Sequence, residues 1–213
     1  MQNVFFTSDT HFFHKNVITY SNRPFLSEEE KLRHLGTERL KISYDSVNRM
    51  NSCLIDEINK VVGESDVLYH LGDFAYCHKN FASIDGLRRT INCKDIRFVR
   101  GNHDRVEEIC RLGTVLNNVH EETIQSARFV LCHYSMNVWP KMNRKAIHLY
   151  GHSHSSAEDH LDKIYPNRRS MDVGVDNAYR ILGKYRPFSF KEITRILGNK
   201  KGNYIDHHKE DNS

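Results

Sequence analysis

Residues 96–104 read IRFVRGNHD, and this stretch decides the fold because an apolar run gives way abruptly to a glycine and three polar residues. Residues 96–100 carry the β-branched and aromatic side chains that are typical of a strand, and Gly101 ends the run. An asparagine, a histidine and an aspartate follow at 102–104. The pattern predicts a buried strand that presents polar side chains at its carboxyl end.

The same pattern occurs at four other predicted strands, which span residues 3–8, 66–71, 128–132 and 146–150. The polar residues that follow them are Asp-Thr-His at 9–11, Gly-Asp at 72–73, His133, and Gly-His-Ser-His at 151–154. In open α/β sheets, ligands bind just beyond the carboxyl ends of the strands. The five strand ends therefore predict one shared site.

The remaining apolar patterns predict helices and one more strand. Charged segments with spaced apolar positions predict one or two amphipathic helices within 27–62, with a break near Gly36. Further elements are a strand at 170–175 and shorter helices at 81–91, 106–112 and 190–197. Strands that alternate with helices early and cluster later predict one α/β domain over residues 1–197. Residues 198–213 lack a packing pattern and are predicted to form a mobile tail.

The composition narrows the class of protein. Lys and Arg outnumber Asp and Glu by 31 to 27, a small excess that suits a substrate with phosphate groups and does not favour nucleic acid. The five cysteines include no CxxC pair, which favours a reducing compartment. Neither a signal-peptide pattern nor a long apolar run occurs, so we expect a cytoplasmic protein without a membrane partner. The sequence does not indicate an oligomeric state.

The spacing of the polar residues supports metal binding. In an extended chain residues two apart point to the same side, so Asp9 and His11 can reach one ion, as can His152 and His154. Imidazole and carboxylate ligands suit divalent manganese, iron, zinc or nickel, and the motifs offer no thiolate. We also expect the backbone to turn sharply or approach the ions closely at Gly72, Gly101 and Gly151.

Each motif also has an ordinary explanation. Asp-x-His is common, Gly-Asn-His-Asp is frequent in turns, and Gly-His-Ser-His can be a polar loop. The metal-site interpretation is favoured because all the motifs occur together, each after a predicted strand.

Taken as a set, these motifs resemble those of the calcineurin-like metallophosphoesterase superfamily: SDTH (8–11), GD (72–73), GNHD (101–104), His133 and GHSH (151–154). The chain is also similar to a short single-domain branch found in bacteria and phages, through THFFHKN (10–16), NRPF (22–25), YHLGDF (69–74), GVD (174–176) and YRP (185–187). Phe13 and Ser135 depart from that branch, which tends to have Gly and Pro there. These departures concern the shape of the pocket.

The resemblance implies a layered α/β/β/α sandwich of two mixed sheets flanked by helices. It also implies two divalent metal ions, with Asp73 bridging them. The other ligands would be Asp9, His11 and His154 on the first ion, and Asn102, His133 and His152 on the second. His103 would face the substrate rather than a metal.

The implied activity is hydrolysis of a phosphodiester or phosphomonoester by a hydroxide shared between the ions. His103, oriented by Asp104, would act as the general acid at the leaving group. We rank a small nucleotide-like diester first, because a short chain leaves little material for a capping domain. The alternatives are a metal-binding scaffold of the same fold without hydrolysis, and a nuclease.

Several other residues are weaker candidates. Arg23 suits a contact with a substrate phosphate, although a surface cation beside a proline is equally expected. His14 is predicted to be a pocket residue that binds substrate. Trp139 suits either stacking on a ring or burial in the core. The tail sequence Asp-His-His at 206–208 is interpreted as a coincidence.

Overall fold

The computed structural model describes residues 2–34, 41–77 and 80–202, and within them nine strands form two sheets. The first sheet has the strand order β4-β3-β2-β1-β9. Its strands are β1 (Val4–Thr7), β2 (Val67–His70), β3 (Asp95–Phe98), β4 (Thr114–Val115) and β9 (Phe188–Ser189). Neighbours are parallel except for β9, which is antiparallel to β1. This sheet is therefore mixed.

The second sheet has the order β5-β6-β7-β8. Its strands are β5 (Val119–Ile124), β6 (Ala127–Cys132), β7 (Ile147–Tyr150) and β8 (Ser170–Asp172). The β5–β6 pair is antiparallel and the other two pairs are parallel, so this sheet is mixed too.

The two sheets pack face to face because the strands of the first sheet alternate their side chains. Phe6 and Tyr69 point into the core between the sheets, whereas Phe5 and Leu68 point to the helices on the other face. The Phe6 ring lies 5.2 Å from the ring of Phe129, which belongs to the second sheet. This two-residue alternation gives β1 and β2 one apolar face for each neighbouring layer.

The described residues form eight helices. They are α1 (Val17–Tyr20), α2 (Glu28–His34), α3 (Tyr44–Val61), α4 (Phe81–Thr90), α5 (Val106–Ile109), α6 (Glu158–Ile164), α7 (Val175–Leu182) and α8 (Phe190–Leu197). A short 3-10 helix spans Met142–Arg144. Buried residues of α3 and α4, such as Met50 and Leu87, pack against the first sheet. The predicted sandwich of two mixed sheets flanked by helices is confirmed.

The six predicted strands all occur, with ends shifted by at most three residues. The strand expected at 170–175 ends at Asp172, and α7 begins at Val175. The described residues within 27–62 form the two helices α2 and α3, and the predicted break at Gly36 lies outside the described residues. Three strands, β4, β5 and β9, and three helices, α1, α6 and α7, were not predicted.

The predicted tail is described only over residues 198–202. Arg169 donates hydrogen bonds from Nη1 to the carbonyl oxygens of Gly198 (2.7 Å) and Lys200 (2.9 Å), so these residues lie against the domain. The rest of the tail, with the Asp-His-His sequence at 206–208, lies outside the described residues. Among the helices of the described chain, none is both long enough and apolar enough to cross a membrane.

Candidate metal centre

The carboxyl ends of strands from both sheets meet at one place. Asp9 and Asp73 follow β1 and β2 of the first sheet, whereas His133 and His152 follow β6 and β7 of the second. The backbone N–H of His152 donates to Oδ2 of Asp9 at 2.9 Å, which ties the two sheets together directly. The predicted convergence of strand ends therefore occurs between the sheets.

Three of the predicted ligands form a first group: Asp9, His11 and His154. Their potential ligand atoms all lie within 4.8 Å of one another. Oδ1 of Asp9 lies 4.0 Å from Nε2 of His11 and 3.9 Å from Nε2 of His154. A single cation fits among these atoms.

A second group contains Asp73, His133 and His152, again with ligand atoms within 4.8 Å of one another. Oδ1 of Asn102 lies 3.0 Å from Nε2 of His133, so this side chain adjoins the group. Oδ2 of Asp73 lies 3.5 Å from Nε2 of His133 and 3.5 Å from Nε2 of His11. One carboxylate oxygen thus stands between the two groups.

Two buried atoms of the first group indicate that a cation fits there. Oδ1 of Asp9 and Nε2 of His11 are buried and have no hydrogen-bond partner among the described residues. Burial raises the pKa of Asp9 to about 7 and lowers the pKa of His11 to about 2. A buried polar atom without a partner costs about 1–3 kcal/mol. A divalent cation would satisfy both atoms at once.

The histidines are oriented by hydrogen bonds at their other ring nitrogens. Nδ1 of His133 lies 2.8 Å from the carbonyl oxygen of Leu71, and Nδ1 of His154 lies 2.6 Å from Oδ2 of Asp176. An acceptor at Nδ1 places the proton there, so Nε2 keeps its lone pair toward the centre. Both rings are therefore arranged as metal ligands.

The backbone at the centre is not extended as the two-residue spacing assumed. Positive φ angles occur at five of the seven predicted ligands: Asp9 (55°), His11 (49°), Asp73 (57°), His152 (69°) and His154 (48°). Asp9 and His11 do lie together, but by tight left-handed turns rather than by strand alternation. Such conformations cost free energy in residues other than glycine, and they cluster at functional sites.

The predicted glycines lie where the backbone packs against the ligands. A Cβ on Gly101 would lie 2.2 Å from Oδ1 of Asp73, and one on Gly151 would lie 2.4 Å from Oδ2 of Asp9. Gly72 has φ +103°, and a Cβ there would meet Nδ1 of His133 at 2.5 Å. Any side chain at these positions would displace a predicted ligand.

Two buried aspartates anchor the loops that carry the ligands. Asp172 accepts hydrogen bonds from the Ser153 hydroxyl (2.8 Å) and the Ser155 backbone (3.0 Å). Asp104 accepts from the backbone N–H groups of Asp73 and Phe74, at 2.8 and 2.9 Å. The predicted orientation of His103 by Asp104 is therefore wrong, because the Asp104 carboxylate holds the loop that follows β2.

His103 lies at the rim of the centre. Its backbone N–H donates to Oδ1 of Asp73 at 2.8 Å, and its exposed ring lies 5.4 Å from the ring of His11. The imidazole is thus close to both groups without belonging to either. Its predicted role at the leaving group remains a prediction.

Arg23 does not face a substrate. Its guanidinium is buried and donates to Oδ1 of Asp176 (2.8 Å) and to the backbone oxygens of Asp9 (2.7 Å) and Thr10 (3.0 Å). The predicted contact of Arg23 with a substrate phosphate is therefore wrong, because its donors are already used inside the protein. Arg23 instead supports Asp176 and the chain that carries Asp9.

The two remaining candidates lie in different environments. Half-buried His14 has its Nδ1 3.3 Å from Nδ1 of His11, so it adjoins the first group. Contact of His14 with substrate remains a prediction. Trp139 is buried, and its indole N–H donates to the carbonyl oxygen of Ala146 at 3.0 Å. Its burial in the core excludes stacking on a ligand.

Sequence reasoning gave no role to Asp172 or Asp176. Asp176 had a signal in the GVD sequence at 174–176, but no spacing rule connects that sequence with His154. No sequence signal marked Asp172, because a polar residue at the end of a strand is common and does not indicate a role.

Comparisons with known proteins agree with this geometry. The sequence model of the calcineurin-like phosphoesterase superfamily domain matches residues 3–165. The chain belongs to the calcineurin-like phosphoesterase superfamily. Membership supports a hydrolase of phosphoric esters that uses divalent metals, and the two ligand groups are where such ions would be held.

The similar proteins match this chain over most of its length. An uncharacterized protein of Methanocaldococcus jannaschii, MJ1445, is 29% identical over 205 residues, which cover 96% of each chain. The crystal structure of AQ665 of Aquifex aeolicus, a protein of unknown function, has a TM-score of 0.63 at 20% identity, with 92% of this chain and 100% of that one covered. The E. coli phosphoesterase Yfce has a TM-score of 0.36 at 16% identity, with coverages of 72% and 70%, and this likeness is too low to transfer its activity.

Proposed function

We propose that this protein hydrolyses a small, nucleotide-like phosphodiester at a centre that holds two divalent cations. The observation that carries the proposal is the position of Asp73, whose Oδ2 lies 3.5 Å from a histidine nitrogen of each group. A carboxylate between two cation positions suits a binuclear centre rather than two separate structural sites.

The residues of the centre would have separate roles. Asp9, His11 and His154 would hold one cation, and His133, His152 and Asn102 the other, with Asp73 shared. When bound, the ions supply Lewis acidity, which makes hydroxide available near neutral pH and stabilises charge on the phosphoryl oxygens. The exposed imidazole of His103 would donate a proton to the leaving oxygen, a contribution of about 10²–10⁴-fold.

The preference for a diester rests on the openness of the site. The domain itself supplies the whole centre, and the described chain places no additional lobe over His103, which is exposed. An open rim accepts a phosphorus atom with two substituents. Manganese as the working metal and a cytoplasmic location belong to the same proposal.

The test is hydrolysis by protein that is stripped of metal and reloaded with manganese. We expect about two ions per chain and a higher kcat/KM for bis(p-nitrophenyl) phosphate than for p-nitrophenyl phosphate. Asp73→Asn should lose bound metal and activity together, whereas Asp56→Asn, at an exposed position on α3, should keep both. Faster hydrolysis of the monoester would reverse the ranking. Two bound ions without hydrolysis of either ester would favour the scaffold, and faster cleavage of single-stranded DNA would favour a nuclease.

A further inference from the structure

A large groove opens beside the metal centre, between residues 13–16 and the N-terminal end of α3. Its volume is about 710 Å³, which is within the range of small-molecule pockets. The side chains that matter for its chemistry are Phe13, His14, Lys15, Lys41, Tyr44 and Tyr76. None of them belongs to the two ligand groups.

The groove and the metal centre share a wall. The rings of His14 and Tyr76 stack with centroids 4.4 Å apart, and each ring centroid lies 6.0 Å from that of His103. His14 also contacts His11 of the first ligand group, with Nδ1 atoms 3.3 Å apart. A substrate whose phosphorus lies at the centre would therefore extend past His103 into the groove.

The groove is lined with aromatic rings over an apolar floor. Ile42 and Val47 are buried beneath it, and Phe13, Tyr44 and Tyr76 line its sides. Tyr44 is 88% exposed, which is a large aromatic surface to leave in water. Exposed aromatic faces beside a polar site are typical of places where a planar ring binds by stacking.

The charge of the groove is positive. Lys15 and Lys41 are exposed along it, and no aspartate or glutamate is among its described lining residues. Neither ammonium group forms an ion pair with a carboxylate in the part of the chain that the structure describes, whereas Lys60 elsewhere on α3 pairs with Glu57 at 2.7 Å. Two such lysines, near the positive end of an 18-residue helix, favour an anionic ligand.

We propose that this groove binds the part of the diester substrate that lies beyond the reacting phosphate, and that this part carries a planar ring and a second anionic group. A nucleotide unit with a terminal phosphate has this chemistry. The inference rests on the proposed hydrolysis at the adjoining centre. Phe13 contributes one aromatic wall of this groove.

The kinetic test compares two thymidine dinucleotides, one with and one without a 5′-terminal phosphate, on the manganese-loaded protein. We expect the terminal phosphate to lower KM by about tenfold, as a charge-assisted contact would. Lys15→Gln combined with Lys41→Gln should bring the ratio of the two KM values close to one. Lys163→Gln, on exposed α6, should leave the ratio unchanged. Tyr44→Ala should raise KM for the dinucleotides more than for methyl p-nitrophenyl phosphate.

A binding measurement separates this proposal from the proposed hydrolysis. Dinucleotides joined by a phosphinate, in which methylene groups replace both bridging oxygens, contain no internucleotide ester bond to hydrolyse, so calorimetry can compare their Kd values with and without the 5′-phosphate. Tighter binding of the phosphorylated analogue, lost in the double lysine variant, supports the groove even if no ester is hydrolysed. Equal Kd and KM values for the paired ligands, or a preference that survives in the double variant, would overturn it.

Discussion

Asp176 holds His154 by its Nδ1, at 2.6 Å, and the same carboxylate accepts a hydrogen bond from Nε of Arg23 at 2.8 Å. The three side chains are connected in a row, in which the buried Arg23 and Asp176 lie behind His154 of the first ligand group. Because Asp176 fixes the proton on Nδ1, the Nε2 atom of His154 faces Asp9. The affinity of the proposed centre for metal would thus depend on a residue that is not among the predicted ligands.

We expect Asp176→Asn to weaken metal binding. An amide accepts the Nδ1 proton less strongly and no longer fixes the ring, and loss of such partners costs about 10–100-fold in affinity. Competition with a chelator, followed by metal analysis, measures the change. Asp159→Asn, which removes an exposed carboxylate on α6, is the control. Unchanged affinity in Asp176→Asn would show that the ring is held by other contacts.

Arg23→Met should destabilise the fold. The Asp176 carboxylate would lose its buried partner, and breaking a buried ion pair in this way costs about 3–5 kcal/mol. Urea unfolding gives the free energy of unfolding. Arg33→Met, at an exposed pair with Glu29, should change it by less than about 1 kcal/mol. If Arg23→Met has the free energy of unfolding of the wild type but binds substrate more weakly, Arg23 contacts the substrate, contrary to its buried position in the structure.

His103→Ala should lower kcat on the aryl diester by about 10²–10⁴-fold while metal content stays full. The ring is exposed and donates no hydrogen bond to the ligand groups, so the fold should tolerate its loss. His160→Ala on α6 is the matched control. Turnover at the wild-type rate with both ions bound would exclude His103 as the acid.

Substitution by alanine should have opposite effects on the free energy of unfolding at Gly101 and at Gly86. Gly101→Ala would place Cβ 2.4 Å from the backbone nitrogen of Asp73, whereas nothing lies within 4 Å of a Cβ on Gly86 in α4. We expect Gly101→Ala to lower the free energy of unfolding by about 1–3 kcal/mol. Gly86→Ala should raise it by about 0.5–1 kcal/mol, because alanine favours the helix. Equal effects in thermal or urea unfolding would contradict both.

The start of α8 should make stability depend on pH. A hydrogen bond from Arg186 lowers the pKa of Glu192 to about 2, below its ordinary value of 4.5. A carboxylate with a lowered pKa stabilises the fold above its unfolded pKa, and this stabilisation is lost as the pH falls from about 4.5 toward 2. Glu192→Gln should therefore be less sensitive to acid over this window, as urea unfolding across it would measure. If the free energy of unfolding of Glu192→Gln falls with pH as steeply as that of the wild type, groups other than Glu192 cause the acid sensitivity.

The sequence predicted the site better than the supports around it. Asp9, Asp73 and His133 each follow a buried apolar run, and such runs are strong signals for strands whose ends converge. Arg23 and Asp176 lie 153 residues apart, and only the folded chain brings them together. A buried arginine cannot be told from an exposed one by its neighbours in sequence.

The missed elements have local reasons. β4 and β9 contain two residues each, too few for an alternation to appear. β5 reads VHEETI, and its mainly polar residues suit a sheet edge as well as a loop. The left-handed turns at Asp9 and His11 were missed because their backbone N–H groups donate to the carbonyl oxygens of Gly72 and Asp73, each at 3.0 Å, and residues so distant in sequence give no local signal.

Those left-handed turns limit whether the candidate metal centre can be rebuilt in another protein from its sequence motifs. Left-handed backbone conformations occur at four of the predicted ligands: Asp9, His11, His152 and His154. A free peptide of the same sequence would leave these conformations rapidly, because nothing would hold the backbone in them. Copying SDTH and GHSH into another protein would reproduce the sequence of the motifs without their backbone conformation. A cation at this centre would be held by ligands from both sheets, so its position depends on the junction between the sheets, where the His152 N–H donates to Oδ2 of Asp9, as well as on the motifs.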